Sequence, residues 1–223
     1  MIGPIRDWAE SYRERGKYTP VGVAFHWIMA ALIVTQLLSG WVMQRYPVGG
    51  DKIAAYAFHS QLGLAVLLLG AMRLIWRLMV PGPINDADAP GLPSTIAHAT
   101  HAIFYALFVL LPLSGWAMWS AMQPAQPLYL AGLLPVPAMP FHDFSPEMSQ
   151  WALETALTVH VTCVVVLTLL IPAHALAAIK HHFWDRDDVL EGMLPEVPDT
   201  RRHPAGPNYS LPTPSPRPRS NGG

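Results

Sequence analysis

The chain has 223 residues, 52 % of them apolar and only 13 % charged, with a net charge of −1; an ordinary soluble domain carries about 25 % charged residues, so a soluble fold is excluded and a membrane protein expected. The near-neutral charge leaves no electrostatic footprint for nucleic acid. A single cysteine, Cys163, excludes an intramolecular disulfide, a thiolate metal cluster and a Cys-x-x-Cys-His attachment, and its expected role is helix packing.

Lys, Arg, Asp and Glu are absent from residues 18–44, 53–72, 89–142 and 155–179. A hydrocarbon core about 30 Å thick needs about 20 apolar residues in helix, and each gap supplies them. After an N-terminal extension (1–17), spans are expected at Val21–Met43, Ile53–Met79, Thr95–Ala121 and Gln150–Ile179. The third gap is longer than one span, but Pro124, Pro127, Pro135, Pro137 and Pro140 crowd its second half and prevent a further helix. The segment PLYLAGLLPVPAMPF therefore reads as a loop at the membrane surface. The first span is too long for a secretory h-region and lacks a small-residue cleavage site after it, so it is expected to remain attached. Beyond Leu194 the chain turns Pro, Ser and Arg rich, with eight prolines in residues 195–223, a composition that cannot bury enough apolar area to fold. This tail is expected to be disordered and open to a protein partner.

Twelve of the fourteen Lys and Arg fall on one side of this arrangement: Arg6, Arg13, Arg15 and Lys17, then Arg73 and Arg77, then Lys180, Arg186, Arg201, Arg202, Arg217 and Arg219. Only Arg45 and Lys52 fall on the other, and the positive-inside rule then places both termini in the cytoplasm. No repeat is evident that would suggest a transporter of two related halves. The fold class expected is all-α, a four-helix membrane bundle formed by residues 18–194.

Ionisable side chains in hydrocarbon are costly and point to function. His26, His59, His160 and His174 all lie within the expected spans. Fourteen residues separate His160 from His174, which leaves them about 40° from eclipsed and about 21 Å apart along one helix face. His26 lies near the cytoplasmic start of the first span, level with His174; His59 lies near the outer start of the second, level with His160. Depth thus sorts them into two trans-helix pairs. Two imidazole pairs at two levels match the need of two b-type haems, whose iron, with both axial positions filled, serves electron transfer. Tetrahedral zinc would gather its ligands at one level, and a proton path would favour mid-membrane Asp or Glu; neither pattern is present in the spans.

Further candidates lie nearby. His98 and His101 share a face at the cytoplasmic start of the third span, either as rival ligands for the inner haem or as partners of its propionates. Arg73 and Arg77 share a face at the end of the second span and can pair with the same carboxylates or anchor the helix at the headgroups. Just past the fourth span, His181, His182, Trp184 and Arg186 form an amphipathic junction where an aromatic belt is expected. His142 and His203 are assigned no role.

Several segments together resemble the bacterial cytochrome b561 family: KYTPVGVAFHW opening the first span, YAFHSQLG and LIWRL in the second, IAHATHAIFYALFVLLPLSGWAM in the third and IPAHALAAIKHHFWDRDDVLEGMLP at the end of the folded part. The resemblance implies a four-helix di-haem cytochrome of the bacterial inner membrane, with His26, His59, His160 and His174 as axial ligands to two haem b groups. It also implies electron exchange with ubiquinone and, in some members, oxidation of superoxide on the outer side; for a quinone head, the expected site is the junction of His181, His182, Trp184 and Arg186, since imidazole can donate a hydrogen bond and relay a proton. On that reading the chain is a quinone-linked membrane oxidoreductase. The competing expectations are a non-catalytic haem-b anchor subunit of a larger respiratory or dehydrogenase complex, and a haem-free transporter lined by histidines.

Overall fold

The computed structural model describes residues 3–80, 82–83, 91–122, 127–141 and 144–194. Five α-helices and one β-hairpin follow in chain order: α1 Gly3–Arg13, α2 Pro20–Met43, α3 Gly50–Met79, α4 Leu92–Ala121, β1 Leu128–Leu130, β2 Leu134–Val136 and α5 Pro146–Lys180. A π-helical turn, His181–Asp185, and a 3-10 turn, Glu191–Met193, complete the described chain. Among the described residues, four helices are long and apolar enough to cross a bilayer. At 1.5 Å per residue the shortest of them, α2 with 24 residues, is about 36 Å long, which exceeds the hydrocarbon thickness.

Helices α3, α4 and α5 start three to four residues earlier than apolarity alone suggests, and side-chain caps fix the starts of α2 and α5. Thr19 caps α2 by accepting from the Gly22 amide at 3.2 Å, with Pro20 occupying a first-turn position whose missing N–H costs nothing. Ser145 caps α5 in the same way from the Met148 amide, ahead of Pro146 and with Glu147 in the first turn, where the helix dipole favours a carboxylate. Pro112 and Pro172 lie inside α4 and α5.

α4 packs on α5, α2 on α3, and α3 on α4. Their shared core, Met29, Ile33, Val66, Leu107, Phe108, Cys163 and Leu167, sits midway along the bundle, and Cys163 is buried there as a packing residue. Gly70 allows the Cβ of Phe108 to approach within 3.3 Å of where its own Cβ would stand. The outward faces stay apolar, with Leu38, Leu68, Ile75, Leu78, Val165 and Leu169 exposed. Such a band suits lipid tails and no aqueous phase. The end holding Thr19, Met79, Leu92 and Lys180 is termed proximal, the opposite end distal.

The proline-rich segment departs from its reading as an irregular loop. Leu128–Leu130 pairs antiparallel with Leu134–Val136, turning through Ala131 and Gly132 at φ 53° and 70°. Prolines 135 and 137 lie in or beside the edge of a two-stranded ribbon, where a missing N–H is tolerated. Trp116 donates to the Pro137 carbonyl at 3.0 Å, and the Met139 amide donates to Ser120 at 3.0 Å. The hairpin is thereby latched onto α4, and Leu128 is buried beneath it. The Pro-rich tail and the partner contact expected of it lie outside the described residues, as do His142 and His203.

Candidate functional site

The distal site forms where α3 and α5 face one another. The His59 and His160 rings lie with centroids 6.3 Å apart. Around them is a cavity of about 500 Å³ reached by all four spans and by Leu128 of the hairpin; its lining is apolar apart from a few groups such as Gln36, Ser60 and Thr168. That volume lies within the range of small-molecule and cofactor sites, about 300–1,000 Å³. Two glycines admit the imidazoles: a Cβ on Gly40 would stand 3.0 Å from Cε1 of His59, and one on Gly115 3.5 Å from Cε1 of His160.

Each distal ring is held at Nδ1 by an oxygen. Ser39 Oγ lies 3.0 Å from Nδ1 of His59; Ser114 Oγ lies 3.0 Å, and the Leu111 carbonyl 3.1 Å, from Nδ1 of His160. The Gln36 amide nitrogen donates to the His59 carbonyl at 2.9 Å and reaches Nε2 of the same residue at 3.2 Å. Its oxygen, Oε1, is buried with no partner.

The proximal site gathers His26 from α2 and His174 from α5, also 6.3 Å between ring centroids. Phe104 edges onto His174 at 5.3 Å, and His101 lies 6.0 Å from it. Arg73 points its Nη2 at Nδ1 of His26, 3.4 Å away. His101 is exposed where His26 is half-buried, so His26 is the one set into the bundle. His98 is not brought in, since its Nδ1 bonds the Ser94 carbonyl one turn back on α4 at 2.7 Å. Arg77 lies one turn beyond Arg73 on an exposed face, with its guanidinium over Gly82.

These residues fit a bis-imidazole metal centre. Metal–imidazole bonds of about 2.0–2.1 Å, added to the roughly 1.1 Å from ring nitrogen to ring centre, put two rings on opposite sides of one metal about 6.4 Å apart. Both pairs meet that value, and the distal pair also has the apolar cavity and glycine clearance that a large planar group requires.

The junction beyond α5 takes a form that sequence did not foretell. His181–Asp185 is wound as a π-turn, closed by the Arg186 amide on the His181 carbonyl with Arg186 in the left-handed region. Nδ1 of His181 is 2.6 Å from the Asp187 carboxylate, and Lys180 pairs with Asp185 at 2.6 Å. His182 edges onto Phe183 at 4.7 Å, while Trp184 and Phe183 are largely exposed. The chain then folds back, and Trp27 of α2 donates to the Met193 carbonyl at 2.7 Å.

Gln36, Ser39 and Ser114 are site residues that sequence reasoning missed. A signal was present: Leu38-Ser39-Gly40-Trp41-Val42-Met43 on α2 recurs as Leu113-Ser114-Gly115-Trp116-Ala117-Met118 on α4. A short internal repeat near one end of two spans was hidden by the search for whole repeated halves.

A four-helix membrane bundle that aligns two opposed imidazole pairs at two depths defines a membrane haem-b electron carrier. The chain belongs to the prokaryotic cytochrome b561 family, whose model matches residues 17–196. It is 27 % identical over 184 residues to cytochrome b561 homolog 2 of Escherichia coli (strain K12), covering 80 % of this chain and 91 % of that protein. It is 26 % identical over 187 residues to the probable superoxide oxidase CybB of Yersinia pestis, covering 81 % and 97 %. Cytochrome b562 of Cereibacter sphaeroides is 24 % identical over 182 residues, covering 79 % and 94 %. The chain is thus a multi-pass bacterial membrane protein that carries electrons by haem b, in contact with the lipid bilayer along its apolar helices.

Proposed function

We propose that this protein carries single electrons across the inner membrane between two haem b groups and exchanges them with the ubiquinone pool. His59 and His160 hold the distal group, His26 and His174 the proximal one. The observation that supports this reading is the pair of equal ring separations, 6.3 Å at each level, on ligands that α5 spaces about 21 Å apart. Haem iron held by these imidazole pairs would supply one-electron chemistry rather than oxygen binding. Between the two levels, Met29, Val66, Phe108 and Leu167 form a buried apolar core, a medium that suits passage of electrons and disfavours ions. Arg73 and His101 stand at the proximal rim, where they would pair with propionate carboxylates, and His101 is therefore assigned to the rim rather than to iron.

Both termini are assigned to the cytoplasm by the twelve-to-two distribution of Lys and Arg, which places the proximal haem on the inner side. The quinone head is assigned to the proximal junction, with His181, His182, Trp184 and Arg186. The exposed Phe183 and Trp184 rings offer the apolar approach for its tail, and His181, tied to Asp187, forms with it a relay able to pass the proton that quinone reduction takes up. In sequence, the distal segments carry Arg45 and Lys52 against Asp51, Asp143, Glu147 and Glu154, a local balance of −2. Attraction of an anionic radical such as superoxide would favour a positive funnel, so a neutral distal donor or acceptor fits this face better.

The test mixes the purified, haem-loaded protein with a short-chain ubiquinol in a stopped-flow spectrometer. Reduction of haem that is reversed by the matching quinone is expected; haem that reacts with dithionite but with neither quinone form would remove quinone from the function.

A further inference from the structure

We infer that Ser39 and Ser114 are twin positioning residues that fix both distal histidines in the iron-binding tautomer and hold the distal haem at a lower potential than the proximal one. This rests on the assignment of a distal haem to His59 and His160.

A serine hydroxyl has one proton to give. Ser39 Oγ donates to the carbonyl of Gln36 and Ser114 Oγ to that of Leu111, each at 2.9 Å and each three residues back on its own helix. With the proton spent there, the face turned to the imidazole is a lone pair, so Nδ1 of His59 and of His160 must be the donor. Two independent contacts agree. Nδ1 of His160 also faces the Leu111 carbonyl, which can only accept. Nε2 of His59 faces the Gln36 amide nitrogen, which can only donate and is identified as nitrogen by its bond to the His59 carbonyl. Both rings therefore carry hydrogen on Nδ1 and a lone pair on Nε2, the nitrogen a metal would take; at His59 that lone pair accepts from the Gln36 amide, a bond that metal binding would displace.

The glycine that follows each serine opens space for the ring it holds, which explains why Ser-Gly recurs as a unit on α2 and α4. At the proximal site the group facing Nδ1 of His26 is instead the guanidinium of Arg73, a donor and a cation. An imidazole that donates from Nδ1 to oxygen is the more basic ligand and favours ferric iron. A nearby cation disfavours the extra positive charge of the ferric state. Both effects order the two centres alike, so transfer from the distal to the proximal end runs downhill.

The test is a spectroelectrochemical titration of the full haem-loaded chain, with the distal component identified as the one missing from His59→Ala. In Ser39→Ala the ferric-to-ferrous ratio of that component at fixed potential should fall by up to about tenfold, equivalent to an upward shift of about 59 mV for one electron. Ser114→Ala should act in the same direction, while Ser39→Thr, which keeps the hydroxyl, should stay near wild type and the proximal component should not move. If Ser114→Ala fails to retain the distal haem, the Ser39→Ala and Ser39→Thr pair carries the comparison. A distal component unmoved in Ser39→Ala with both haems bound, or an equal shift of both components, would overturn the inference while leaving the haem assignment intact. Retention of two haems in His59→Ala would instead overturn the assignment on which it rests.

Discussion

Gly40 gives the sharpest test of the distal geometry. An alanine Cβ there would stand 3.0 Å from Cε1 of His59, against 3.5 Å for the equivalent change at Gly115 and His160. Ordinary carbon contacts lie at about 3.5–4.0 Å, so Gly40→Ala must push the His59 ring back by about half an ångström, while Gly115→Ala need move nothing. Metal–ligand distances in well-formed sites fall within about 0.2 Å of their standard values, less than this displacement. The expected consequence for Gly40→Ala is a weakened or lost His59–iron bond, with distal haem affinity down about 10- to 100-fold, the usual scale for disturbing a ligand's support. Helix propensity gains about 0.8–1.0 kcal/mol from Gly→Ala while overpacking costs about 1–3 kcal/mol, so a thermal melt of the apoprotein followed by circular dichroism separates loss of haem from loss of fold. The assay is haem titration of the apoprotein in detergent, followed by the absorption spectrum, with high-spin character expected in the distal fraction of Gly40→Ala alone. Wild-type haem content and a low-spin spectrum in Gly40→Ala, or a larger defect in Gly115→Ala, would refute the reasoning.

Three further outcomes are expected. His26→Ala and His174→Ala should each lose the proximal haem, whereas His101→Ala should retain it; pyridine haemochrome content of the three variants decides, and the reverse pattern would make His101 the ligand. Reporter fusions after Gly91 and after Leu194 should report cytoplasm and one near Pro127 the opposite compartment, with an inverted pattern exchanging the roles of the two haems. His181→Ala combined with His182→Ala should slow haem reoxidation by ubiquinone several-fold, measured by stopped flow with both haems still bound; unchanged kinetics would move the quinone away from this junction.

The four spans and the two imidazole levels were legible because each rests on a large, local term. Charges are excluded from hydrocarbon, which marks the gaps in Lys, Arg, Asp and Glu, and helical phase is arithmetic for His160 and His174. The rest depended on choices made after packing. Helical spacing put His98 and His101 on one face, but only the structure shows His98 bonded to the Ser94 carbonyl and His101 turned toward His174. Proline density correctly excluded a fifth long helix from residues 127–141, yet the hairpin latched onto α4 by Trp116 and Ser120 needed partners remote in sequence. Ser39 and Ser114 looked like ordinary small residues within a span. Their role emerges once the helices set each beside a histidine of another helix.

The central claim, two haems held by four histidines, is tested most directly by a pyridine haemochrome assay on the purified chain against an amino-acid-analysis protein concentration. Two haem b per chain are expected, all extractable into acidic organic solvent because no Cys-x-x-Cys-His is present to bind them covalently. One haem per chain, or a folded protein with none, would contradict it.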